Sequence, residues 1–298
     1  MAESINYNAK YKDTLFRWIF GKDDEKGKQR RLELYNALNN SSYTDPDALE
    51  VTTLEDVICM SMKNDLSFLV DSKMNLYEEQ STLNPNMPLR GLMYFSRLYQ
   101  VWLTKQDKDL YGRTVVKIPT PKYVVFYIGQ PEIDDIVKLK LSDAFIVPDV
   151  SGEFEWTATM ININEGHNNS LGKKCKPLYD YISYIARIRK NMQAGMEKHQ
   201  AISSAVEWAI QNNLLGGFFA EQKAEVEDVS ITEFDEELFI RNRRREGYAE
   251  GIIAGEQQKA VEDTKNLLRM KLLTAEQIAQ AEGLSVEQVQ ALAAEMPE

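Results

Sequence analysis

Two carboxylates on one short hairpin are the residues best placed to do chemistry. Leu66, Phe68 and Val70 alternate with Asp65, Ser67 and Leu69, and Met74, Leu76, Glu78 and Gln80 alternate with Asn75, Tyr77 and Glu79. That period of two marks a pair of strands, and Asp71-Ser72 between them reads as a hairpin turn. With a two-residue turn, Val70 pairs with Lys73 and Asp65 falls opposite Glu78. Cross-strand partners share a face, with Cβ atoms about 4.5–5.5 Å apart. Gln80 lies two residues further along that face. Carboxylates so close repel unless something positive sits between them. A hard divalent cation, Mg²⁺ with Mn²⁺ as a substitute, binds carboxylate oxygens and keeps several waters, which suits it to phosphate chemistry. A three-residue turn would shift the register and bring Glu79 into that place instead. Without a cation, the same acids are an ordinary solvated strand end.

The elements around the hairpin predict an α/β fold: a mixed sheet flanked by helices, followed by a helical C-terminal region. Residues 12–20 and 29–38 carry helical spacing, the first through Leu15, Phe16, Ile19 and Phe20, the second through Leu32, Tyr35 and Leu38. The stretch 21–27 between them reads as a charged loop, and Asn39-Asn40 as the stop of the second helix. Residues 51–60 read as extended. Pro88 starts a long amphipathic helix over 89–105. The apolar run 123–128, ended by Gly129, predicts a buried central strand, with further strands at 136–141 and 156–163. From Pro177 onward the pattern is helical. The division expected is a core over 1–175, a helical extension over 176–245 and a helical tail over 246–298.

Composition bounds the function classes. The chain has 298 residues, 43% of them hydrophobic, which is enough for a core that needs no disulfide or metal. Its formal net charge of −11 argues against binding nucleic acid through a general basic surface, although an acidic cluster that holds a cation neutralises itself. The N-terminus is polar, and the apolar runs are too short to span a bilayer, so a cytoplasmic protein with no membrane partner is expected. Cys59 and Cys175 stand far apart and read as buried thiols. The two histidines, His167 and His199, show no ligand spacing. His167, in a Gly/Asn-rich segment, reads as a loop brace or a base. No phosphate-binding glycine loop, nucleophile elbow or H-E-x-x-H helix is present.

Several motifs in order resemble the recombination-promoting nuclease / putative transposase family of the PD-(D/E)XK nuclease superfamily. They are Asn64-Asp65-Leu66-Ser67-Phe68-Leu69-Val70, Leu76-Tyr77-Glu78-Glu79-Gln80-Ser81-Thr82 and Asn84-Pro85-Asn86-Met87-Pro88-Leu89-Arg90. Upstream the likeness takes in Tyr11-Lys12-Asp13 with Phe16, and Leu32-Glu33-Leu34-Tyr35-Asn36-Ala37-Leu38. Downstream it takes in Ile118-Pro119-Thr120-Pro121, Val124-Val125-Phe126-Tyr127, Leu141-Ser142-Asp143-Ala144-Phe145 and Asn162-Ile163-Asn164-Glu165-Gly166-His167-Asn168. The resemblance implies a helix, a three-stranded meander, a helix and a further strand. It implies a Mg²⁺-dependent DNA endonuclease linked to recombination or mobile elements, with Asp65 and Glu78 as metal ligands. Gln80 stands where the superfamily has a lysine; it can orient water but cannot offset charge. Arg90 is then either a compensating cation or a loop-anchoring ion pair. Asp13 and Glu33 are candidates for a further acid at the site, with the solvent face of a helix as the alternative for Glu33.

The tail carries a separate pattern. Arg241, Arg243, Arg244 and Arg245 are followed by Gly247, Gly251 and Gly255 at intervals of four. Each glycine costs a helix about 1 kcal/mol, so the stripe suggests either close helix packing or a frayed linker. Thr274-Ala275-Glu276-Gln277 and Ser285-Val286-Glu287-Gln288 are capping boxes around a helix-turn-helix-like pair. Its second helix lacks Lys and Arg, which favours a protein-protein or self-association role over DNA contact, with a homodimer through these helices expected.

Overall fold

A computed structural model describes residues 14–52, 65–149, 151–270 and 272–294, and for 236–257 the backbone alone. The first helices follow from their caps. The Thr14 side chain accepts from the Arg17 amide and opens α1 (Leu15–Phe20). The Asp24 side chain accepts from the Gly27 amide and opens α2 (Glu25–Asn39), which ends on left-handed Asn40. The stretch read as a loop over 21–27 is thus partly helix. Arg31, at 0% exposure, donates to the Phe20 and Lys22 carbonyls and ties the remaining loop to α2.

Among the described residues the sheet has six strands in the order β1 (Glu50–Val51), β2 (Leu66–Val70), β3 (Lys73–Gln80), β4 (Thr120–Tyr127), β6 (Thr157–Asn162) and β5 (Ile136–Lys140). β1, β2 and β3 form an antiparallel meander, β3, β4 and β6 run parallel, and β5 closes the far edge antiparallel. The β3-to-β4 crossover is α3 (Met87–Lys105), which has proline in its first turn. Met87, Gly91, Tyr94, Phe95 and Leu98 give it one buried stripe. That stripe meets Met74, Leu76, Tyr123, Val125 and Met160 on one sheet face. The other face, with Phe68, Tyr77, Val124 and Phe126, is covered by α1, α2 and α5 (Lys176–Gln193). β4 is therefore buried on both sides, as its continuous apolar run requires.

Two compact units divide the chain, Met1–Phe234 and Asp235–Glu298. This differs from the expected division at 175. Leu178, Tyr181, Tyr184, Ile185 and Ile188 of α5 belong to the same core as the sheet, and so do Ile202, Ala205 and Val206 of α6 (Lys198–Gln211). α4 (Asn169–Lys174) falls outside the sequence expectation, whereas the short α7 (Phe218–Glu221) lies within the stretch expected to be helical. α8 spans Lys223–Met270, and the side chains of the arginine cluster and the glycine stripe within it lie outside the described residues. In the second unit, α9 (Ala275–Glu282) and α10 (Val286–Ala294) pack through Ile278, Ala279 and Val289. Both capping boxes form. Among the described residues, no helix is long and apolar enough to cross a membrane.

Candidate active site

The hairpin turn fixes the site. Asp71 and Ser72 both adopt positive φ, 48° and 58°, the backbone of a two-residue turn that matches the twist of its strands. Val70 pairs with Lys73, and the register runs back to Leu66 opposite Tyr77. Asp65 thus stands at the open end across from Glu78, and its Oδ2 accepts the Glu79 amide at 2.8 Å. The alternative register with Glu79 in that place does not occur. Glu79 points with Tyr77 to the opposite face, where its charge bears on Tyr181.

Glu78 is only 1% exposed. Its Oε2 accepts from the Tyr123 hydroxyl at 2.9 Å and lies 3.4 Å from Arg90 Nη2. Its Oε1 is buried with no hydrogen-bond partner. Arg90 Nη1 also donates to Gln80 Oε1 at 3.3 Å, and the guanidinium lies 6.0 Å from the Tyr94 ring centre. Gln80 Nε2 donates to the Glu79 carbonyl at 2.6 Å. Asp65, Glu78, Gln80 and Arg90 therefore gather at the carboxyl end of β3.

Electrostatics follow from burial. Burial pushes the Glu78 carboxyl up to about 7. Arg90 opposes the rise, the Asp65 charge adds to it, and hydrogen bonds from Tyr123 and Tyr94 oppose it. Burial and the Glu78 charge push the Tyr94 hydroxyl up to about 12, and raise that of Tyr123 as well. Burial works against the charge on Arg90, but Glu78, Tyr94 and Tyr123 together outweigh it and the guanidinium holds its proton more firmly than usual. Arg90 thus supplies positive charge beside Glu78.

The other candidate acids divide. Glu33 is half-buried on α2, accepts from Gln29 Nε2 at 3.4 Å, and bears on Arg30 and Cys175. α2 packs on the sheet face opposite Glu78, so Glu33 does not reach the pair. Asp13 lies outside the described residues, as does Cys59. Cys175 is free and buried, and burial pushes its thiol up to about 12. His167 braces a loop: its ring lies 2.7 Å from Asp135 and 2.9 Å from Glu132, and Asn168 Nδ2 donates to the Asp135 carbonyl.

Tyr123, Tyr94 and Gly91 were not singled out from sequence. A signal was available for Tyr123, because a phenol inside a buried strand needs a polar partner. Comparison of the chain with family models, with curated proteins and with solved structures finds no match.

Among the described residues, no group of three or more His, Cys, Asp and Glu gathers around one point. The fit to a metal rests on two acids at opposed positions of one strand pair, with the Asp65 charge felt at Glu78, and on a buried Glu78 oxygen that lacks a partner. An oxygen in that state is costly unless something positive or hydrogen-bonding reaches it. Mg²⁺ commonly takes only one or two carboxylates and keeps its waters, so the donor set suits it.

Proposed function

We propose that this chain is a metal-dependent DNA endonuclease with a PD-(D/E)XK-like core, acting in the cytoplasm on DNA in recombination or mobile elements. The observation that carries this reading is Asp65 facing Glu78 across the hairpin, with Glu78 Oε1 buried and unpartnered. The element order around the pair supports it: helix, antiparallel meander, helix, parallel strand. Asp65 and Glu78 would hold Mg²⁺ or Mn²⁺, which when bound polarises a phosphoryl oxygen and acidifies a water. Gln80 orients the attacking water through its amide. Arg90 carries the cationic charge that lysine carries in the superfamily and offsets charge building on the attacked phosphate. The C-terminal helices pair two copies, so that two sites face the two strands of a duplex.

One observation favours a second reading. Arg90 contacts both Glu78 and Gln80, which would suit a silent relative that acts as an interaction module through its helical tail. Purified protein incubated with supercoiled plasmid separates the two. The endonuclease nicks it with Mg²⁺ or Mn²⁺ and not with EDTA, and Asp65→Ala abolishes nicking. Nicking by Asp65→Ala at the wild-type rate would remove the assignment. Light scattering on the whole chain and on one ended after Arg245 tests the pairing; the same number of chains per particle in both would refute it.

A further inference from the structure

Tyr123 and Arg90 converge on one oxygen of Glu78, a carboxyl that Tyr94 also hydrogen-bonds. The Tyr123 hydroxyl donates to Oε2 at 2.9 Å, and Arg90 Nη2 lies 3.4 Å from the same atom. The last torsion of a glutamate is broad and roughly two-fold, so an unheld carboxylate exchanges its oxygens freely. With both donors on Oε2, that exchange is blocked and Oε1 is the atom left without a partner.

The placement of Tyr123 is built into the fold. Its strand partner is Leu76, two residues before Glu78, so its ring stands on the same face and needs only to lean along the strand. The space for the ring comes from α3. A Cβ at Gly91 would lie 2.4 Å from the Tyr123 ring and 3.1 Å from Trp156 Nε1, so only glycine lets α3 come this close. The neighbouring residue on α3 is Arg90. One close approach thus brings both donors to Oε2.

We propose that Tyr123 is a positioning residue which pins Glu78 Oε2, so that Oε1 alone is offered to a divalent cation. The inference rests on the metal-dependent reading above and sharpens it to the kind of ion. A single-oxygen carboxylate suits Mg²⁺ and Mn²⁺ with their octahedral water shells. Ca²⁺ takes more oxygens and accepts carboxylates through both. Pinning one oxygen therefore selects the smaller ions.

Tyr123→Phe removes the hydroxyl and keeps the ring. On the full chain, Mn²⁺ affinity is read from the loss of the free-ion electron paramagnetic resonance signal, Ca²⁺ affinity by competition, and folding by thermal midpoint. Loss of a partner that orients a ligand costs about 10–100-fold in metal affinity. The expected result is a Mn²⁺ affinity at least about tenfold weaker, a smaller loss for Ca²⁺, and so a lower ratio of Mn²⁺ to Ca²⁺ affinity. Gly91→Ala keeps the hydroxyl but displaces the ring, and should lower the same ratio. An unchanged ratio in a chain that binds Mn²⁺ overturns the role of Tyr123 alone. A wild-type chain that takes up no Mn²⁺ overturns this role and the nuclease reading together.

Discussion

Glu78 and His167 are each flanked by two charged side chains, and both have a raised pKa, with opposite meanings. Glu78 is 1% exposed, and burial outweighs Arg90, so its charged form is disfavoured. His167 keeps a side chain 23% exposed between Asp135 and Glu132, whose hydrogen bonds and charges favour its cation. The first group carries an unmet demand for positive charge, whereas the second is already satisfied by its neighbours. A reactive centre needs the former kind of environment, and a loop clasp the latter.

The largest effect expected from breaking this contrast is on catalysis. Glu78→Gln removes a ligand charge and should lower metal-dependent nicking by more than the roughly hundredfold cost of losing a mere orienting partner. His167→Gln should leave nicking within about twofold, because the ring is tied up away from the acid pair. A comparable loss from both substitutions would show the contrast to be false.

The next effect is on stability against pH. The folded Glu78 titrates at about 7 and its ordinary value is 4.5, so between those values the folded chain binds more protons than the unfolded one. Its contribution therefore falls as pH rises through that window. Glu78→Gln should flatten that slope in denaturant titrations at closely spaced pH values. The smallest effect belongs to His167. Its contribution is fully present below its ordinary value of 6.5 and is lost as pH rises through the raised folded value. His167→Gln should remove a shallow slope above 6.5 and leave the lower window intact. Loss of the same window by both variants would contradict the separate causes given to them.

Much of this arrangement was legible because it is local. Asp71-Ser72 sets the hairpin register, and that register alone puts Asp65 opposite Glu78. Pro88 marks the start of α3, and the unbroken apolar run of β4 shows that both its faces are covered. What escaped depends on partners distant in sequence or on polar residues buried against pattern. The first turn of α2, Glu25-Lys26-Gly27, is charged and carries a glycine, so it reads as loop. Tyr123 reaches Glu78 only through a parallel crossover whose register no short-range signal fixes. Glu33 lies on a helix that packs on the other sheet face. The helices over 176–234 looked like an extension because helical periodicity marks an apolar face without saying what covers it.

The most direct test of the central claim, that the Asp65–Glu78 pair is a cation site, is an anomalous difference map from crystals grown with Mn²⁺. The account predicts a peak bonded to Glu78 Oε1 and to the Asp65 carboxylate, with Tyr123 still on Oε2. A map without that peak at saturating Mn²⁺, and with Arg90 unchanged against Glu78, would contradict it.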